Sequence, residues 1–201
     1  MEIGVHHGRL FILLALCVNE GEDALGVDLF DMQDQNVDQS GKGDFGALQR
    51  NLERHAGGVN VRFLKSNSLN LGGEFCRAEM GKRFVSIDGG HTRAITANDL
   101  WIAQSVLCDG GIVALDDIYR VEWSGVTAGL AQYFARGGAL VPIAIAPNKL
   151  FLTTSVQWAD TYRKELQKSF IVGSPQEFFE FDRVDIIPMN SEHEPGKFGK
   201  I

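Results

Sequence analysis

The sequence predicts an α/β fold, an α/β/α sandwich around a doubly wound, mostly parallel seven-stranded sheet that closes with an antiparallel C-terminal hairpin. Three observations predict it. Short β-rich runs alternate with longer helical ones over most of the chain. Several of the strand-like runs finish on acids or glycine turns, as in "FVSIDGGHTRAI" (Phe84 to Ile95) and "GGIVALDDIY" (Gly110 to Tyr119). Finally, "ALVPIAIAPNKLFLTTS" holds two strand-like runs joined by Pro147-Asn148, the pattern of a hairpin.

Taken in order, Met1 to Val5 is a short strand, and His6-His7-Gly8 turns it into an apolar helix from Arg9 to Asn19. "DALGVDLFD" supplies a second strand, Ala24 to Leu29, ending on Asp28 and Asp31. Residues Met32 to Gly43, "MQDQNVDQSGKG", are polar and punctuated by glycine, which marks a loop of functional or mobile character. Asp44 suits an N-cap for a helix reaching His55, stopped by Gly57-Gly58. "VNVRFL" and "RFVSID" are the third and fourth strands, Ala94 to Val106 a helix, and "GGIVALDD" the fifth strand. A helix over Val126 to Ala135 stops at Gly137-Gly138, and another follows the hairpin from Ala159 to Lys168. One domain over residues 1–170 is expected, with 171–201 as a C-terminal extension, disordered toward "EHEPGKFGK".

Composition narrows the functional classes. A chain of 201 residues with 44% apolar content fills one domain and not two. The formal charge is −7 and no Lys/Arg stripe is present, which argues against a nucleic-acid partner. Cys17, Cys76 and Cys108 are too far apart for a zinc knuckle or a disulfide framework, so a reducing cytoplasm is expected. The run "LFILLALCV" is nine residues, far short of the ~20 that span a bilayer, and reads as a buried helix.

In an open parallel sheet, ligands bind outside the carboxyl ends of the strands, near the point where strand order reverses. Glu2, Asp28, Asp88 and Asp116-Asp117 close four strands and should share that rim. One such acid is ordinarily an N-cap or a solvated loop residue, but four on one rim suggest a site. "EIGVHHG" is a glycine turn from strand to helix whose Gly4 and Gly8 permit close approach of a ligand. Asp28, one βα unit on, suits the two hydroxyls of a ribose, as the equivalent acid does in Rossmann-like units. His6 stands where a dinucleotide fingerprint has its central glycine, and an acid precedes the first glycine. That suits a nucleoside ligand with an ammonium group and no phosphate.

Together, "EIGVHHG", "GVDLFD", "SIDGGHT" and "GGIVALDDI" resemble the class I S-adenosylmethionine-dependent methyltransferases over Met1 to about Ser155. The resemblance is to the small-molecule O-methyltransferases of the catechol and macrocin kind. It implies that Glu2 and Gly4 hold the methionine moiety, with His6 and Gly8 shaping the turn, Asp28 the ribose, and Asn67 and Ser68 the adenine. It also implies a divalent cation on Asp88, Asp116 and Asp117, with Asp88 facing the cofactor as well, and His91 as the base. An oxygen-rich set of that kind suits Mg²⁺ better than zinc. The methyl acceptor would be a small hydroxylated molecule, a sugar or a natural-product scaffold.

His6 and His7, adjacent on a tight turn, are expected to diverge and share no ion. Trp101, Trp123, Tyr119 and Tyr133 are candidates for a substrate wall, Tyr119 and Trp123 before the others, although such aromatics are more often core. The chain opens on the first strand, where relatives carry covering helices. A minimal form, a fragment or a homodimer with partner-supplied cover are therefore the expectations, and a non-catalytic cofactor-binding subunit is the alternative function. An NAD-dependent oxidoreductase is a weaker rival.

Overall fold

The computed structural model describes residues 1–188. Nine strands form one sheet in the order β3-β2-β1-β4-β5-β7-β6-β9-β8. The strands are β1 (Glu2–Ile3), β2 (Ala24–Asp28), β3 (Val61–Lys65), β4 (Lys82–Ile87), β5 (Leu107–Leu115), β6 (Val141–Ala146), β7 (Lys149–Thr153), β8 (Gln176–Phe178) and β9 (Phe181–Ile186). The helices are α1 (Arg9–Leu16), α2 (Phe45–Ala56), α3 (Gly73–Ala78), α4 (Arg93–Val106), α5 (Ser124–Ala135) and α6 (Val156–Ser169). β1 pairs in parallel with both β2 and β4, so strand order reverses there, and β7 runs antiparallel to β5 and β6. The parallel sheet and its C-terminal hairpin agree with the sequence reading.

Strand periodicity divides the core in two. In β2, Leu25 and Val27 join the larger cluster with Val85, Leu100, Val113 and Leu130, under α4 and α5. Ala24 points the other way, toward Phe11, Leu48 and Leu52 of α1 and α2. Phe151 of β7 and Ile143 of β6 meet Ala159 and Tyr162 of α6 on that second face. The result is three layers with loops gathered at the carboxyl ends of the parallel strands.

Local chemistry sets the helix starts. Asp44 accepts from Ala47 N at 2.9 Å, Thr92 from Ile95 N at 3.3 Å and Ser155 from Trp158 N at 3.3 Å. The nearly buried Arg163 of α6 donates to the carbonyls of Pro142, Ile143 and Arg183, which ties the helix to β6 and β9.

One difference concerns the C-terminal part. The sheet has nine strands where seven were expected, because the segment read as an extension contributes β8 and β9, with β9 parallel to β6. The expected disorder of "EHEPGKFGK" lies outside the described residues. Among the described residues no helix is long and apolar enough to cross a membrane.

Candidate functional site

A cleft of about 700 Å³ opens at the reversal of strand order, between the ends of β1, β2, β4 and β5. Its lining includes Glu2, Gly4, His6, Asp28, Asn67, Ser68, Asp88, His91, Asp116 and Asp117, so ten of the expected site residues meet in one cavity. Gly8 is the exception. It starts α1 at φ 85°, and a Cβ there would lie 2.4 Å from Leu48 Cδ1, so glycine is needed for packing against α2. At Gly4 a Cβ would stand 1.9 Å from the Asp88 carbonyl oxygen. The close approach that Gly4 permits is thus to the end of β4.

Asp28 holds the turn after β1. Its Oδ2 accepts from Val5 N at 2.6 Å and His6 N at 2.8 Å, and its Oδ1 from Phe30 N at 2.7 Å. A carboxylate has about four acceptor positions, so capacity remains toward the cleft. Asp31 instead pairs with Lys65 away from the lining. His6 has φ 51°, and its ring lies 3.9 Å from that of His7, so the two imidazoles are neighbours and do not diverge as expected.

Glu2 sits at the floor, 2% exposed, and its Oε2 has no hydrogen-bond partner. Burial, then the nearby Asp88 charge, pushes its carboxyl up to about 8. Asp88 opens onto the cleft, yet enough protein surrounds it that desolvation, then the Asp116 charge, raises it to about 7. Burial and the crowding of acids together hold both carboxyls above the usual carboxylate range. Lys149 of β7 pairs with Asp116 Oδ2, and Arg9 also lines the cleft.

Donor atoms of Asp88, His91 and Asp117 all lie within 4.8 Å of one another. Asp117 has φ 60°, a left-handed conformation that aspartate tolerates better than most residues, and Asn148 Nδ2 fixes its Oδ1 at 2.6 Å. His91 Nε2 is 3.1 Å from Asp117 Oδ2, and its Nδ1 is 3.1 Å from Asp38 Oδ2. Trp123 stacks on the ring, centroids 4.2 Å apart and planes 18° from parallel. The group that the geometry gathers is therefore Asp88–His91–Asp117, while Asp116 faces Lys149 and Asn148.

At the opposite end, Asn67 caps Leu69 N at 3.0 Å, and Asn98 Nδ2 donates to the buried Ser68 carbonyl at 3.0 Å. Behind them lies Asp99, fully buried with Oδ2 unpartnered, its carboxyl raised to about 7 by desolvation. Of the four aromatic candidates only Trp123 lines the cleft. Trp101 packs edge-on against the fully buried Tyr133 in the core, and Tyr119 faces solvent outside the lining.

Sequence reasoning missed Asp38, Asn148, Lys149 and Asp99. The polar loop 32–43 carried a signal for the first, and the hairpin turn placed Asn148-Lys149 near β5, but nothing in either singled out a side chain. Asp99 lies within an apolar helical run, where a lone acid is itself the anomaly.

A methyltransferase-domain family model matches residues 1–118. Among solved structures, the chain is similar to CalS11, a TDP-rhamnose 3′-O-methyltransferase of calicheamicin biosynthesis. The TM-score is 0.57, with 19% identity over 76% of this chain and 70% of that one. It is also similar to the O-methyltransferase NovP, with TM-score 0.60 and 17% identity over 77% and 70%. A Bacillus cereus O-methyltransferase in complex with SAH gives TM-score 0.54 and 14% identity over 77% and 72%. A search of curated proteins returned no match. With its family match over more than half its length, the chain belongs to the methyltransferase-domain family and is an S-adenosylmethionine-dependent methyltransferase.

Proposed function

We propose that this methyltransferase acts on a hydroxyl of a small polyhydroxylated acceptor, a sugar or a natural-product scaffold, with a divalent cation at the acid cluster. The observation that carries this reading is the joint placement, in one cleft, of the buried Glu2 carboxyl, whose Oε2 has no partner, and the Asp88–His91–Asp117 group. Glu2 fits the ammonium of a methionine moiety, since its buried Oε2 has no hydrogen-bond donor. Gly4 and His6 line the same end, Asp28 has acceptor capacity left for a ribose, and Asn67 and Ser68 border the space for an adenine.

The cation fits as well. Asp88 and Asp117 would hold it through carboxylate oxygens, with Asp116 beside them once Lys149 releases it and the Nε2 of His91 left free to act as base. A divalent ion there supplies Lewis acidity to neighbouring acceptor oxygens, and S-adenosylmethionine supplies an electrophilic sulfonium methyl. The chain's own groups do the rest. His91, clamped against Trp123, receives the hydroxyl proton at Nε2, and the Asp117 carboxylate stabilises the resulting imidazolium. The cleft walls hold the attacking oxygen in line with the methyl carbon.

The test is transfer of labelled methyl to a panel of sugar nucleotides and vicinal diols, with and without chelator. Oxygen methylation that chelator abolishes, and that His91→Gln lowers about 100-fold or more, supports the reading. Transfer unaffected by both chelator and Asp88→Ala contradicts the cation's part in it.

A further inference from the structure

We propose that Asp38 is a positioning residue for the reaction, holding His91 as the tautomer that carries its proton on Nδ1 so that the Nε2 lone pair faces the acid cluster. This rests on the reading of His91 as the proton acceptor.

The contact spans 53 residues of sequence and is made twice. Asp38 Oδ2 accepts from the His91 backbone N at 2.5 Å and lies 3.1 Å from the ring Nδ1. Its other oxygen is occupied by Ser40, whose N and Oγ donate at 3.0 and 2.6 Å. Asn36 braces the loop from within, donating to the Ser40 carbonyl at 2.8 Å and to Gln33 Oε1 at 2.9 Å. Asp38 is thus held in place by its own loop before it meets His91. Both side chains are 11% exposed.

An ionised carboxylate can only accept, so Asp38 at Nδ1 and Asp117 at Nε2 compete for the one proton of a neutral ring. Asp38, fixed by Ser40 and by the His91 backbone N–H, takes it, and Nε2 keeps its lone pair. That lone pair stands 3.1 Å from the Asp117 carboxylate. Two acceptors facing each other repel, and a transferred proton or a cation between them removes the conflict. Rotation of the ring is blocked by Trp123 on its face. Remove Asp38 and the Asp117 carboxylate alone faces the ring, which draws the proton to Nε2. A loop staple of purely structural purpose would need only the backbone N–H of His91 and would leave the ring indifferent.

Long-range ¹H–¹⁵N NMR of the five imidazoles reads this directly on the full chain, with and without S-adenosylhomocysteine. The pH is set at about 8.5, above the ordinary imidazole pKa of about 6.5. The His91 signals are identified by their loss in His91→Gln. The expected wild-type spectrum has the His91 proton on Nδ1. In Asp38→Ala, the Nδ1–H population falls below about half, and Asp38→Glu restores most of it. Should Asp38→Ala fail to fold, Asp38→Asn is expected to show both tautomers, because its amide can also donate to Nδ1. A wild-type ring protonated on Nε2, or a ring unchanged in a folded Asp38 variant, would overturn the proposal. Failure of the wild type to bind S-adenosylhomocysteine would instead count against the methyl-transfer reading, while the ring signals still decide the role of Asp38.

Discussion

Replacing Glu2 with glutamine should make the protein more stable and a weaker cofactor binder. The Glu2 carboxyl has an ordinary value of 4.5 and is pushed up to about 8 by burial and by Asp88. At pH 7 the unfolded chain has released a proton that the folded chain retains. At about 1.4 kcal/mol for each pH step above 4.5, that costs the fold about 3 kcal/mol. The sign follows from the raised value: the stability is fully present below 4.5 and is lost as pH rises through about 8. Glu2→Gln removes this term, so its advantage should grow from about 2 kcal/mol at pH 6 to about 4 at pH 8. Denaturant titration at three pH values measures it. Calorimetry on the same variant should find S-adenosylhomocysteine binding weakened by a factor of about ten to a hundred, the worth of a charge-assisted hydrogen bond. A stability gap that does not vary with pH would refute the burial argument, and undiminished affinity would refute the ammonium assignment.

Other expectations follow from single residues. Gly4→Ala forces a Cβ to 1.9 Å from the Asp88 carbonyl oxygen at φ 87°. It should cost about 3 kcal/mol or more and displace the β4 end, read as a lower melting temperature and lost cofactor binding. Arg163→Leu strips three carbonyls of their donor and should cost about 3 kcal/mol with cofactor affinity unchanged, which separates the α6 anchor from the cleft. Asp99→Asn should stabilise the chain by an amount that grows as pH rises from about 3.8 to about 7, levels off above that, and is absent below about 3.8. Between those values the unfolded chain has released a proton that the folded carboxyl, raised to about 7 by desolvation, retains, and that difference is the cost the amide removes.

Much of this architecture is written in local chemistry. Periodicity found the alternating elements, and Asp44 capped its helix where its side chain predicted. The four strand-end acids met on one rim because parallel strands necessarily send their carboxyl ends the same way. What the sequence hid was long-range or multi-body. Asp38 reaches His91 across 53 residues from a segment without periodicity. Lys149 comes to Asp116 only because β7 pairs antiparallel with β5, with Leu115 opposite Leu150. Gly8 reads as a ligand-facing glycine, whereas it lies outside the lining with its Cβ position filled by Leu48; Gly4 does line the cleft, but its Cβ position is filled by the Asp88 backbone. β8 and β9 were passed over because "QEFFEFDRVDI" mixes charge with aromatics. Val184 and Asp185 of β9 are nevertheless buried, Asp185 through bonds from Arg183 and Gln167.

Calorimetric titration of S-adenosylhomocysteine into the full chain, with and without Mg²⁺ and with Asp28→Ala as control, tests the central claim most directly. The account expects saturable one-site binding that Asp28→Ala abolishes and Mg²⁺ alters. No binding under either condition would contradict it.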